Sequence, residues 1–335
     1  MIVPGFIREG DRIGVTAPSA GASEPLDRVR FLHARDRLAE RGYEVVFTPN
    51  TFTDIGDERS SPAEQRAKEL ESLIADGSVR YILSASGGDY LNEIFEHLDM
   101  SGLRDDPKWI QGYSDNTDIL VMATVNHDVM SIYCGNYGDY GMEPWHRSVA
   151  ENLEFVEGKR MCQTSFDRHA EGFSDRVTGL EPFECTAPTV WDSPDTEFSG
   201  RLMGGCLDKL QLMVGTSRDR MVDFAERYRD DGIVWYLETY SSDRDGLVSA
   251  LGSMRDSGWF ENASGFVFGR PLFYEGDDYR GAASSVLGDL EVPMVFDADI
   301  GHKAPRMTMI NGALAEIGVR GGVCTIRYPE LSTQP

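Results

Sequence analysis

From the first residues to about position 140, short apolar runs alternate with longer stretches in which apolar residues recur every three or four positions. This is the pattern of β-α-β units on a parallel sheet: a strand covered on both faces reads as a continuous apolar run, and a covering helix shows one apolar stripe. Residues 12–18 predict a first strand and 26–40 a helix with Val29, Leu32 and Leu38 on one side. Residues 43–47 predict a second strand, and Ser61-Pro62-Ala63-Glu64 has capping-box spacing for the helix that follows. A third strand over 79–84 runs into Ala85-Ser86-Gly87-Gly88-Asp89 and a helix with Leu91, Ile94 and Leu98 on its apolar face. A fourth strand over 109–113 is followed by a sharp turn at Ser114-Asp115-Asn116 and a helix over 117–126.

Between about 140 and 195 the periodicity fades into charge, proline and aromatic residues, which predicts an irregular connecting region. Apolar strands return at 233–237, 265–269 and 292–296, and a glycine-rich, strand-like end covers 313–328. The expected organisation is therefore an α/β protein with an N-terminal domain over 1–140, a connection over 141–195 and a C-terminal domain over 196–335. A length of 335 residues suits two domains.

Composition narrows the partners. Hydrophobic residues at 41% and charged residues at 26% are those of a folded globular chain. A formal net charge of −24 repels phosphate backbones and anionic lipid, so neither nucleic acid nor membrane is an expected partner. The first ten residues hold no basic segment leading into an apolar one, so no secretory signal is read and a cytoplasmic location is expected. The five cysteines, Cys134, Cys162, Cys185, Cys206 and Cys324, are widely spaced without C-x-x-C. Reduced thiols are expected, with no metal site and no cofactor.

In doubly wound sheets, ligand sites gather at the carboxyl ends of strands. Three polar residues follow apolar runs in this way: Ser114 after 109–113, Glu238 after 233–237, and His302 after 292–296 by way of Asp297-Ala298-Asp299-Ile300-Gly301. A serine hydroxyl becomes a useful nucleophile when an imidazole takes its proton, and a carboxylate fixes the imidazole tautomer. A sharp strand-to-helix turn at Ser114 would expose its oxygen, although Asn116 stands where G-x-S-x-G would need glycine. The backbone N–H of Asp115 and the Gly87-Gly88 pair are candidate oxyanion donors.

Each residue also has a plainer role open to it. A serine between strand and helix is commonly an N-cap, a Gly-Gly pair is as often a turn or a phosphate cradle, and a carboxylate ending a strand usually faces solvent. Asp297 and Asp299 compete with Glu238 as the partner of His302, and spacing alone leaves that choice open.

Taken together, Gly-Val-Thr-Ala-Pro-Ser (14–19), Ser-Gly-Gly (86–88), Gly-Tyr-Ser-Asp (112–115), Gly-Gly-Cys-Leu-Asp (204–208), Leu-Glu-Thr (237–239), Phe-Gly-Arg-Pro (268–271) and Asp-Ile-Gly-His (299–302) resemble the LD-carboxypeptidase family of serine peptidases. The resemblance implies an N-terminal Rossmann- or flavodoxin-like domain carrying the serine and a C-terminal, largely β (α+β) domain carrying Glu and His, with the active site between them. It places the nucleophile on Ser114, the base on His302, the carboxylate on Glu238 and the oxyanion donors on Gly88 and Asp115. A homodimer is implied as well.

The family has a branch that removes terminal D-alanine from murein tetrapeptides and a branch, similar to the microcin C immunity protein, that hydrolyses peptide or aminoacyl conjugates of a nucleotide. Chain length, the long irregular middle and Gly204-Gly205-Cys206-Leu207 favour the second, with a small peptide or peptide-nucleotide substrate. Gly87 is a substrate-binding candidate, and Trp191 the candidate aromatic face for a nucleobase, worth about 1–3 kcal/mol of binding if it stacks. A non-enzymatic anion-binding module built on Gly87-Gly88 and the Ser114 turn is the alternative from another class. A dinucleotide oxidoreductase is disfavoured, because Ala17-Pro18-Ser19-Ala20-Gly21 cannot supply G-x-G-x-x-G.

Overall fold

The computed structural model describes residues 1–333. The chain forms two compact units, Met1–Arg160 with Ser174–Phe183, and Met161–Phe173 with the residues from Glu184 onward.

The first unit holds a parallel sheet in the order Ser131–Tyr133, Trp109–Gly112, Val79–Ser84, Arg12–Thr16, Glu44–Phe47. This is the flavodoxin-like arrangement, in which strand order reverses between the first and third strands and opens a crevice at their carboxyl ends. The loops leaving those two strands are drawn together by Arg66, whose side chain is buried. It donates from Nε to the Ser61 carbonyl (2.8 Å) and from Nη1 to the carbonyls of Pro18 and Tyr90 (2.9 Å each).

Three local expectations are corrected in this unit. Helix Pro25–Ala39 buries Arg30, Phe31, Ala34 and Leu38, while Val29 and Leu32 face solvent. Phe31 packs edge-on against Tyr137 at 5.0 Å, and Arg30 satisfies the carbonyls of Gly138 and Gly179, so a charged residue takes the inward place assigned to an aliphatic one. The capping box is not formed: Pro62 is the N-cap of Ala63–Ala75, and the buried Ser61 hydroxyl has no hydrogen-bond partner. Beyond Asp89 there is only the 3₁₀ turn Leu91–Ile94, with Leu98 half-buried. The Leu91 N–H is taken by Asp115 Oδ2 at 3.0 Å and the Tyr90 carbonyl by Arg66, which fixes the turn from outside.

The stretch of faded periodicity contains helix Arg147–Val156. Its buried face mixes Val149, Leu153 and Phe155 with Asn152, whose Oδ1 accepts from Gln111 Nε2 (3.0 Å) and the Tyr140 hydroxyl (2.6 Å). Satisfied polar groups in the core blur an apolar stripe.

The second unit is built on a seven-stranded sheet. Met294–Ala298, Ala263–Gly269, Ile233–Glu238 and Thr196–Cys206 run parallel, and Leu314–Arg320, Val323–Arg327 and Cys162–Thr164 extend it antiparallel. Helices Leu207–Met213, Met221–Arg227, Arg244–Asp256 and Tyr279–Leu287 connect the parallel strands. Among the described residues no helix is long and apolar enough to cross a membrane.

Candidate active site

In the first unit, strand Trp109–Gly112 ends at Tyr113, and Ser114 opens the 3₁₀ turn Ser114–Asn116 with φ +62°. A serine in the left-handed region costs on the order of 1–3 kcal/mol and persists only where its surroundings impose it. Here they do. The Ser114 N–H donates to the Tyr133 hydroxyl (3.3 Å), Thr117 Oγ1 donates to the Ser114 carbonyl (2.6 Å), and Asn116 Nδ2 donates to the carbonyls of Ser86 (2.8 Å) and Tyr113 (3.2 Å). Gly112 permits the turn to close, since a Cβ there would lie 2.9 Å from Asn116 Cβ. Asn116 thus supplies by side-chain bonding what a second glycine would give by freedom.

Ser114 is not an N-cap: Tyr113 precedes the 3₁₀ turn, and Asn116 caps Thr117–Val125 without a side-chain bond. Gly87 lies against it, because a Cβ on Gly87 would be 3.3 Å from Ser114 Oγ and 3.9 Å from the Asp115 nitrogen. Gly88 follows at φ +138°. The Asp115 carboxylate accepts from Ser19 Oγ and the Leu91 N–H, joining the first-strand loop to the turn beyond Gly88. Of the two helix N-termini that the anion-cradle alternative calls on, the one after Gly88 is only a four-residue 3₁₀ turn, whereas the Ser114 turn leads into helix Thr117–Val125.

In the second unit Glu238 is the last residue of its strand and is 0% exposed, which removes the solvent-facing alternative. His302 is 4% exposed, and its Nδ1 lies 2.8 Å from Glu238 Oε2. A buried carboxylate must be paired, and this contact pairs it. The loop carrying His302 is held by Arg306, whose Nε donates to the Gly301 carbonyl at 2.6 Å. Gly301 has φ +95°, and a Cβ there would fall 2.4 Å from Glu238 Oε2. Gly301→Ala is therefore expected to separate imidazole from carboxylate and lower kcat at least about a hundredfold while the protein stays folded, as steady-state kinetics beside circular dichroism will report.

Of the rival carboxylates, one is occupied elsewhere and the other faces solvent. Asp299, fully buried, accepts from Arg270 Nη1 (2.7 Å), Trp191 Nε1 (3.1 Å) and the Phe166 N–H (3.0 Å). Burial pushes its carboxyl up, and these donors oppose the rise. Asp297 is exposed. Burial, then the charges of Glu238 and Asp208, raises the Cys206 thiol well above its usual range, so it stays protonated.

The first unit thus carries Ser114, Gly87, Gly88 and Asp115, and the second Glu238, His302 and Trp191. Trp191 is corrected: it is 1% exposed, its indole N–H is spent on Asp299, and it offers no face to a base. Trp191→Ala is expected to lower stability by about 3–5 kcal/mol, measured by urea unfolding, rather than to weaken ligand binding alone. Arg306, Arg270, Asp208 and Tyr240 were not singled out from the sequence. Tyr240, whose ring centroid lies 4.7 Å from that of His302, had a usable signal in its place two residues past Glu238.

Comparison with known proteins places the chain among serine-type hydrolases. Residues 13–134 match the LD-carboxypeptidase N-terminal domain and residues 199–317 the LD-carboxypeptidase C-terminal domain. The microcin C7 self-immunity protein MccF of Escherichia coli is 31% identical over 97% of this chain and 95% of its own. The chain belongs to the LD-carboxypeptidase family of serine peptidases. Its fold is similar to that of MccF solved in complex with aspartyl sulfamoyl adenosine (TM-score 0.81, 19% identity, 98% of each chain). It is similar also to a muramoyltetrapeptide carboxypeptidase from Oxalobacter formigenes (TM-score 0.70, 19% identity, 94% of this chain and 97% of that one).

Proposed function

We propose that the protein hydrolyses the amide bond of a small peptide or aminoacyl-nucleotide conjugate, with Ser114 as nucleophile, His302 as base and Glu238 as the group that orients it. Ser114 Oγ attacks the carbonyl carbon as His302 Nε2 takes its proton, and the N–H groups of Gly88 and Asp115 receive the oxyanion. Collapse breaks the C–N bond, the leaving nitrogen takes the proton from His302, and water repeats the sequence on the acyl-serine. Gly87 leaves room for the substrate beside Ser114.

The observation that carries this reading is the buried 2.8 Å contact of His302 Nδ1 with Glu238, which orients the ring and favours the tautomer with its proton on Nδ1 and Nε2 as the basic nitrogen. The substrate class is supported by the similarity to MccF, whose solved complex holds an aminoacyl sulfamoyl nucleoside. Hydrolysis of aspartyl sulfamoyl adenosine, followed by mass spectrometry, is expected to outrun that of a murein tetrapeptide. The reverse order would favour the second reading, a murein tetrapeptide carboxypeptidase, which the family description and the fold of the Oxalobacter formigenes enzyme support.

A serine mechanism of this kind uses no Lewis acid, and turnover is expected to survive exhaustive dialysis against EDTA. Loss of rate restored by added zinc would overturn it. The proposal extends to a cytoplasmic homodimer, for which sedimentation should give twice the chain mass of 37.3 kDa.

A further inference from the structure

Two large aromatic rings stand in solvent within the second unit, Tyr240 at 40% and Phe273 at 51% exposure. They are neighbours, with centroids 5.4 Å apart and planes at 87°, and Tyr240 is the ring that lies tilted against His302. Exposed apolar rings that touch one another beside a buried polar group are a costly arrangement for water to cover, and they mark binding surfaces more often than accidents of packing.

The pair is held by backbone bonds rather than by burial. The Asp208 carboxylate accepts from the N–H groups of Tyr240 (3.0 Å) and Ser241 (3.1 Å), and the Phe273 N–H donates to the Tyr240 carbonyl (2.8 Å). Ser241–Asp243 and Phe273–Glu275 pair as a short parallel ribbon. Alternation along that ribbon sends Tyr274 the other way, where its ring meets Tyr279 at 5.0 Å. The ribbon therefore fills its packing with Tyr274 and leaves Phe273 outward.

We propose that Tyr240 and Phe273 form a ring-binding face beside His302 that receives a planar aromatic group of the substrate. Two rings at right angles offer an incoming ring a face on which to stack and an edge to meet, the two arrangements that aromatic pairs prefer. This rests on the reading of His302 as the base, because contact with its imidazole is what brings the face to the reacting bond. The ring can come from an aromatic side chain on the acyl residue or from a nucleobase in the leaving group, and the chemistry of recognition is the same.

Three probes separate these sources: aspartyl sulfamoyl adenosine, the aspartyl methyl sulfamate that keeps the scissile amide without the nucleoside, and phenylalanyl methyl sulfamate with a ring on the acyl side only. Phe273→Ala, and Phe273→Leu as a variant that keeps bulk, are expected to raise KM for a ring-bearing probe so that its kcat/KM, taken relative to the ring-free probe, falls about tenfold. A response confined to the adenosine probe assigns the nucleobase, and one confined to the phenylalanyl probe assigns the acyl side chain. Equal losses on all three probes, or no change in the ratios, would overturn the proposal. Calorimetric titration of Ser114→Ala protein with aspartyl sulfamoyl adenosine and phenylalanyl methyl sulfamate, with and without Phe273→Ala, tests the face apart from hydrolysis. A tenfold weaker Kd for either probe upholds it even if the catalytic assignment fails, and unchanged Kd for both refutes it even if that assignment holds.

Discussion

Ser114→Ala is expected to lower kcat by about 10⁴- to 10⁶-fold on any substrate the wild-type protein cleaves, equivalent to roughly 5–8 kcal/mol of transition-state stabilisation. What survives would come from binding and the oxyanion donors, which act whether or not the hydroxyl is there. The fold should not change. Alanine keeps the Cβ of serine and inherits the same φ of +62°, so the turn stays as strained as before. Ser114→Gly is the informative companion: glycine takes that conformation without strain, so the variant should be at least as stable as the alanine one and just as inactive. Kinetics and thermal unfolding of the two variants together separate chemistry from structure. Retention of a tenth of the wild-type rate by either would take Ser114 out of the nucleophile's role.

The legible parts of the fold were those in which local pattern and tertiary environment agree. Strand Val79–Ser84 is apolar over 81–83 and buried everywhere but at Arg80, and its limits follow from the sequence alone. The turn after Trp109–Gly112 was legible because glycine, polar residues and a helical run succeed one another there. What escaped depended on partners distant in the chain. Arg30 and Arg66 lie inside because carbonyls from other loops receive them, and no window around position 30 or 66 announces this. Helix Arg147–Val156 was hidden by Asn152, a core residue satisfied by Gln111 and Tyr140. At the candidate site, residue types and strand ends pointed to Ser114, Glu238 and His302; spacing left three carboxylates open, the family resemblance chose Glu238, and the structure sets Glu238 against His302 Nδ1. The fate of Trp191 needed the structure, since an indole that anchors Asp299 and one that faces a ligand look alike in sequence.

That choice of carboxylate gives the other large effect. Glu238→Gln is expected to reduce kcat by about 10³- to 10⁴-fold with little change in KM, because the substitution keeps shape and burial and removes the charge that sets the imidazole tautomer. With Oε2 replaced by an amide nitrogen, two donors would face each other unless the His302 proton moved to Nε2, and an Nε2 that carries a proton cannot take one from Ser114. If the amide turns its oxygen to Nδ1 instead, the tautomer is kept, but the imidazolium formed during attack loses the opposite charge that stabilises it. Either way the loss falls on kcat. Asp297→Asn should change little, as the side chain is exposed. Asp299→Asn should act through stability, since it disturbs a fully buried acceptor of three donors, one of them Arg270, and breaking such a pair costs about 3–5 kcal/mol. The three variants are therefore expected to separate on two axes, kcat measured at saturation and the urea midpoint. Glu238→Gln should move the first, Asp299→Asn the second and Asp297→Asn neither. A folded Asp299→Asn protein with a thousandfold loss in kcat, beside a Glu238→Gln protein that keeps its rate, would transfer the orienting role to Asp299.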